Sequence, residues 1–286
     1  MADFEDLENL VDGLKARYER FRLAAEKNDW QGMFDVFGRL CAFLRDVEFE
    51  MPEGVIREME LAWADLFWQG GRADLAAAAL GHYLENSPDD IDARLQYAKS
   101  LFHSCQFQAA SQELWAMADE GIEELELHVY LAALAEREGD EDGAREYYRE
   151  AEKLDESFEP PLNIGEEEAI GLFRGFLEEA PKPIHDAVKD VPIYCSALPS
   201  DEVLTSEEPP LDPWLLGLFT GPDMARGDVM GVLSPQIFLF YKNIARVAVD
   251  REELEREMRE TLFHEIGHYA GMDEDRIRAW ERGEAF

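Results

Sequence analysis

Apolar residues recur at helical spacing through the first half of the chain. Leu7, Leu10, Val11 and Leu14 form one such set, and Phe34, Phe37, Leu40, Phe43 and Leu44 form another. Residues 4–49 therefore read as two amphipathic helices separated near Lys27-Asn28-Asp29, and Met51-Pro52 breaks the pattern. A period of 34 residues then sets in. Ala64, Ala98 and Ala132 stand in register, as do Phe67, Leu101 and Ala135, then Gly71, Cys105 and Gly139. Ala76, Ala110 and Ala144 follow, and after them Leu80, Leu114 and Tyr148. Small residues at fixed points let paired helices approach closely, larger ones fill between them, and turns fall near Gly71 and Gly139. Three such units and the N-terminal hairpin predict an α-helical repeat domain over residues 1–157, a short right-handed solenoid.

The repeat resembles the tetratricopeptide repeat (TPR), with Trp63, Tyr97 and Leu131 before the small position and Pro88 closing the first unit. Cys105 and Ile122 depart from the Gly and Pro usual in that family. The resemblance implies a concave face that docks a partner or substrate, with a packing platform for the following domain as the alternative. His82, His103 and His128 share no pattern and read as surface or packing histidines.

Residues 158–165, which include Phe158-Glu159-Pro160-Pro161-Leu162-Asn163, read as a linker. Beyond it the patterning is mixed. A helix is expected over Glu166–Glu179, ended by Pro181 and Pro183, and a strand over Val191–Leu198. Pro199–Pro210 reads as an acidic loop, Trp214–Phe219 as a short helical turn and Gln236–Tyr241 as an apolar strand with Phe238 and Phe240 in the core. Either Gln236–Tyr241 or Ile193–Ala197 could be a sheet edge that holds an extended substrate. Asn243–Val249 leads into the last long helix. That helix opens with Asp250 as N-cap and Glu253 three residues on, a capping-box arrangement, and carries the stripe Leu254, Met258, Leu262 and Tyr269.

The same helix contains His264-Glu265-Ile266-Gly267-His268. Residues four apart on a helix point the same way one turn apart, so both imidazoles can bind one Zn²⁺, and Glu265 can take a proton from metal-activated water. Gly271 is placed to turn the chain at the helix end. A catalytic zinc takes three protein ligands and leaves a position open. No His follows His268, so the third ligand falls to Glu274, or to its neighbours Asp273 and Asp275. That acidic cluster can equally cap the final helix, and the two roles can coexist. Tyr241 or Tyr269 could donate to an oxyanion.

From about Glu166 onward the chain is similar to the zincin-like metallopeptidase family of small bacterial proteins. Asp190–Tyr194, Leu211–Phe219, Gly231–Tyr241, the His264–Gly271 run and the acidic cluster carry the likeness. It implies a small α/β (α+β) minimal zincin domain over residues 166–286, with a His-Glu-x-x-His-x-x-Gly-x-x-Asp zinc site. Glu274 stands where that pattern has Asp.

The formal net charge of −37 repels nucleic acid phosphates and anionic membranes, so neither is expected as a partner. The three cysteines, Cys41, Cys105 and Cys195, have no zinc or redox spacing and read as buried thiols. The first residues lack the basic start and apolar run of a signal peptide, and a reduced, cytoplasmic setting is expected. The reading is a zinc-dependent metallopeptidase acting on a peptide or protein substrate, with a TPR-like domain that docks partner or substrate. The alternative is a TPR interaction module whose zincin-like domain is catalytically weak or inactive.

Overall fold

The computed structural model describes Arg20, residues 23–24, Lys27 and residues 29–46, 53–222 and 234–281. The first predicted helix, with Leu7, Leu10, Val11 and Leu14, lies outside the described residues, as do the side chains of Cys41, Phe43 and Leu44. A run of helices comes first: α1 (Trp30–Asp46), α2 (Glu53–Gln69), α3 (Ala73–Leu84), α4 (Ile91–His103), α5 (Phe107–Asp119), α6 (Leu125–Glu138) and α7 (Glu141–Leu154). There follow α8 (Glu166–Glu179), α9 (Lys182–Val188), β1 (Ile193–Ser196), α10 (Asp201–Leu204), β2 (Gly217–Thr220) and β3 (Gln236–Phe240). The chain continues with α11 (Tyr241–Val247), α12 (Arg251–Tyr269) and α13 (Glu274–Glu281). Helical-repeat packing thus precedes a small domain with a mixed three-stranded sheet. Two compact units result, Met1–Glu136 with Glu208–Pro210, and Arg137–Glu207 with Leu211–Phe286. Among the described residues, no helix is long and apolar enough to cross a membrane.

In the first unit the repeat register reappears as burial. Ala64, Ala76, Ala98, Ala110 and Ala132 are each 3% exposed or less, and Phe67, Leu80, Leu101 and Leu114 are buried beside them. Side chains that stop at Cβ let α2 pack on α3, α3 on α4 and α4 on α5, and each larger side chain buried this way contributes about 1.5–3 kcal/mol. His103 shares a 2.8 Å hydrogen bond with the Tyr130 hydroxyl, and His82 Nδ1 lies 3.1 Å from the buried carboxylate of Glu60. Both histidines serve packing, as expected.

Turns fall where the period places them. Gly71 and Cys105 both have positive φ, 71° and 60°. In each case the following residue's N–H reaches back to close the helix: Arg72 donates to Phe67 O and Gln106 to Leu101 O. Cys105 therefore holds a left-handed conformation at a position that favours glycine. The strain for an L-residue is roughly 1–2 kcal/mol, and the extra unfolded-state freedom of Gly offsets about half of it. Cys105→Gly is expected to stabilise the protein by about 0.5–1 kcal/mol, read as a higher transition midpoint in calorimetry of the full chain. A lower midpoint would show that the thiol's packing outweighs the backbone term.

In the second unit the strand order is β1-β3-β2, with β1 parallel and β2 antiparallel to β3. This corrects two expectations. Trp214–Phe219 is not a helical turn: its second half is β2, fixed by the pairing of Leu218 with Phe238 and Gly217 with Leu239. Gln236–Phe240 is the central strand and cannot serve as a free edge. Ile237 and Leu239 face the core, whereas Phe238 points to the other face, half-buried and stacked on Tyr194 at 5.2 Å. The strand ends at Phe240, and Tyr241 opens α11.

The core joins the inner sheet face to α8, α9, α11 and α12 through Ala169, Phe173, Ile184, Ile237, Leu239, Ile244 and the stripe of α12. That stripe is Leu254, Met258, Leu262 and Ile266, a strict i, i+4 row that continues through Ile266, while Tyr269 is only partly buried. Asp250 caps α12 by accepting the Glu253 N–H at 2.8 Å. Glu253 reaches back one residue further than a capping box requires, accepting the Val249 N–H at 3.0 Å. The Val249 N–H, with the Arg256 guanidinium behind it, holds the Glu253 carboxyl below the usual range. Because that shift is downward, its contribution to stability is present at neutral pH and is lost as acid titrates Glu253 through its folded value. Burial, with the nearby Glu166 carboxylate, pushes the Cys195 thiol up to about 11, so it stays protonated.

Candidate functional site

Helix α12 presents His264 and His268 from one face, one turn apart. Their Nε2 atoms converge to 3.1 Å, with the rings at 76° and their centroids 4.8 Å apart. Between them in sequence Glu265 turns inward and is 7% exposed. The buried row of α12 packs the helix against the sheet on the flank beside the imidazoles.

Two glycines let neighbouring elements come close. A Cβ on Gly217 of β2 would lie 2.9 Å from Glu265 Cγ, Glu265 Oε1 and Thr261 Cγ2. The first residue of the strand therefore rests directly on the carboxylate. A Cβ on Gly267 would lie 2.8 Å from Ile277 Cγ1, so the fully buried Ile277 seats α13 on the turn of α12 that holds the histidines. Gly271 has φ 77°, its N–H donates to His268 O at 3.0 Å, and Met272 N–H donates to Gly267 O at 3.0 Å. This is the left-handed helix end expected at that position.

The residues surround a cleft of about 620 Å³ lined by His264, Glu265, His268, Gly217, Phe219 and Asp273, among others. Asp273 also caps α13, accepting the Arg276 N–H at 2.9 Å. Asp275 is exposed, and the side chain of Glu274 lies outside the described residues. Tyr269 packs against Phe219 at 5.7 Å between ring centroids, and Tyr241 is buried in the core. Among the described residues no group of three or more His, Cys, Asp or Glu forms a metal site.

The histidine pair fits a zinc ion on donor chemistry. Two nitrogens bound to one Zn²⁺ at about 2.0–2.1 Å in tetrahedral geometry stand roughly 3.3 Å apart, close to the separation seen here.

The element that sequence reading missed at the site is β2. Phe240 N–H donates to Leu216 O at 2.9 Å, so Leu216, Leu218 and Thr220 turn their backbone groups toward β3. Gly217 and Phe219, at the alternate positions, aim their N–H and C=O groups off the opposite edge. A glycine inside an apolar run was the available signal, since it marks close approach of backbone to another group.

The chain matches none of the curated proteins. Residues 188–284, from the end of α9 to just beyond α13, match the family model described as Zincin-like metallopeptidase.

Proposed function

We infer that the second unit is a zinc-dependent peptidase. The observation that carries this reading is the convergence of His264 and His268 Nε2 at 3.1 Å beside the buried Glu265. His264 and His268 would hold the ion, with Glu274 as the proposed third ligand and Asp273 or Asp275 as alternatives. Bound there, Zn²⁺ supplies Lewis acidity, polarising the scissile carbonyl and acidifying water.

Glu265 acts as general base. It takes the proton from the attacking water and returns it to the leaving amine. The outward backbone groups of Gly217 and Phe219 pair with an extended peptide and hold it along the cleft, a role that neither Ile193–Ala197 nor Gln236–Tyr241 fills in this reading. The helical-repeat domain, residues 1–157, docks a partner or substrate, and residues 158–165 join it to the domain at 166–286. The charge of −37 favours basic over acidic partners.

Metal removal tests the reading with two readouts. Protein stripped with a chelator and dialysed is expected to take up close to one zinc per chain by elemental analysis, and to regain hydrolysis of a peptide library in parallel. Failure to retain zinc, or retention with no cleavage of any peptide, would sink the peptidase reading and favour the interaction module.

A further inference from the structure

Asn243, the third residue of α11, is 1% exposed and does not line the cleft. Its side-chain amide donates to two backbone carbonyls at once, Pro213 O and Leu215 O, each at 2.8 Å. Two acceptors facing one nitrogen fix which end of the amide is the NH₂ group.

The segment it grips is the turn that leads into β2. Asp212 opens this turn, its carboxylate accepting Trp214 N–H at 2.7 Å and its carbonyl accepting Leu215 N–H at 3.0 Å. Leu216 O receives Phe240 N–H at the start of the sheet. Of the carbonyls at 212, 213, 215 and 216, two thus depend on a single side chain. Two residues beyond the second of them, Gly217 rests on Glu265 and begins the edge of β2 that points away from β3.

We propose that Asn243 is a positioning residue. By holding Pro213 O and Leu215 O it sets where β2 starts, and through Gly217 it sets the place of Glu265 and of the edge that pairs with substrate. The kinetic half of this inference rests on the peptidase reading; the structural half does not.

Asn243→Asp keeps the shape of the side chain and removes both donors, leaving carboxylate oxygens against carbonyls. In the metal-loaded full chain, the amides among residues 214–220 that bond within the turn or to β3, those of Trp214, Leu215, Leu218 and Thr220, are expected to exchange with deuterium at least about 10-fold faster, while those of α12 keep their wild-type rates. Zinc content stays at the wild-type level. With a peptide substrate, kcat/KM falls about 10- to 100-fold, more through KM than through kcat, because the pairing edge loses its position. A space-filling role would leave exchange at 214–220 and KM unchanged.

The unaltered protein gives a second reading should the variant fail to fold. With its five asparagines labelled with ¹⁵N, at least one side-chain amide should keep both protons about 100-fold longer than a free amide. Free exchange at all five overturns the proposal, as does unchanged exchange at 214–220 in a folded variant. If the wild type cleaves no peptide, the peptidase reading falls and the exchange data still decide the role of Asn243.

Discussion

Glu265→Gln is expected to lower kcat by about 10²- to 10⁴-fold, the usual worth of a general base, while the protein keeps its zinc. Gln has the shape of Glu and fits the same inward-facing, 7% exposed position. It cannot accept a proton from water. His264 and His268 stay where α12 puts them, so metal content, measured on the same sample, separates loss of the base from loss of the ion. A wild-type rate in the Gln variant would remove Glu265 from the mechanism. Loss of zinc along with activity would make Glu265 a structural support for the histidines instead.

Gly217→Ala should also cost about 10²-fold in kcat/KM, although it introduces no charge and lies on a strand. Replacing Gly by Ala in a strand ordinarily gains about 0.5–1 kcal/mol of backbone entropy. Here the new Cβ would stand 2.9 Å from Glu265 and from Thr261 Cγ2, closer than real Cβ contacts allow. Glu265 can swing its carboxylate aside, but Thr261 is fixed on the helix, so β2 must also lift from α12. Overpacking of this kind costs about 1–3 kcal/mol, which exceeds the entropic gain. The expected result is a lower unfolding midpoint together with reduced activity at unchanged zinc content. An alanine variant as active and as stable as the wild type would show that the strand does not rest on the base.

Legibility in the sequence followed the length and regularity of each pattern. The 34-residue register of Ala64, Ala98 and Ala132 survives because each position needs a side chain small enough for two helices to meet, and burial at all three shows it. The helix of the histidines was readable for the same reason: Asp250 caps it, Leu254, Met258 and Leu262 line its buried flank, and Gly271 ends it. What failed was short and depended on partners distant in sequence. Trp214–Phe219 is an apolar run too brief to show a period, and only pairing with β3 makes part of it a strand. The spacing of α11 is legible too: Tyr241, Ile244, Ala245 and Ala248, all buried, lie at i, i+3, i+4 and i+7. Asn243 gave no signal, because its role is set by two carbonyls about thirty residues earlier in the chain.

The alternation along β2 constrains how a peptide could be read. Gly217 and Phe219 offer main-chain groups outward while Leu218 between them does not. On the proposed reading, a docked chain is engaged at every second residue. Every residue of a peptide carries both main-chain groups, so a slide by one position keeps the pairing only if the chain turns over, which exchanges the side chains on its two faces. Selectivity would then arise from which of the two alternate sets of side chains the cleft wall admits, not from the pairing itself.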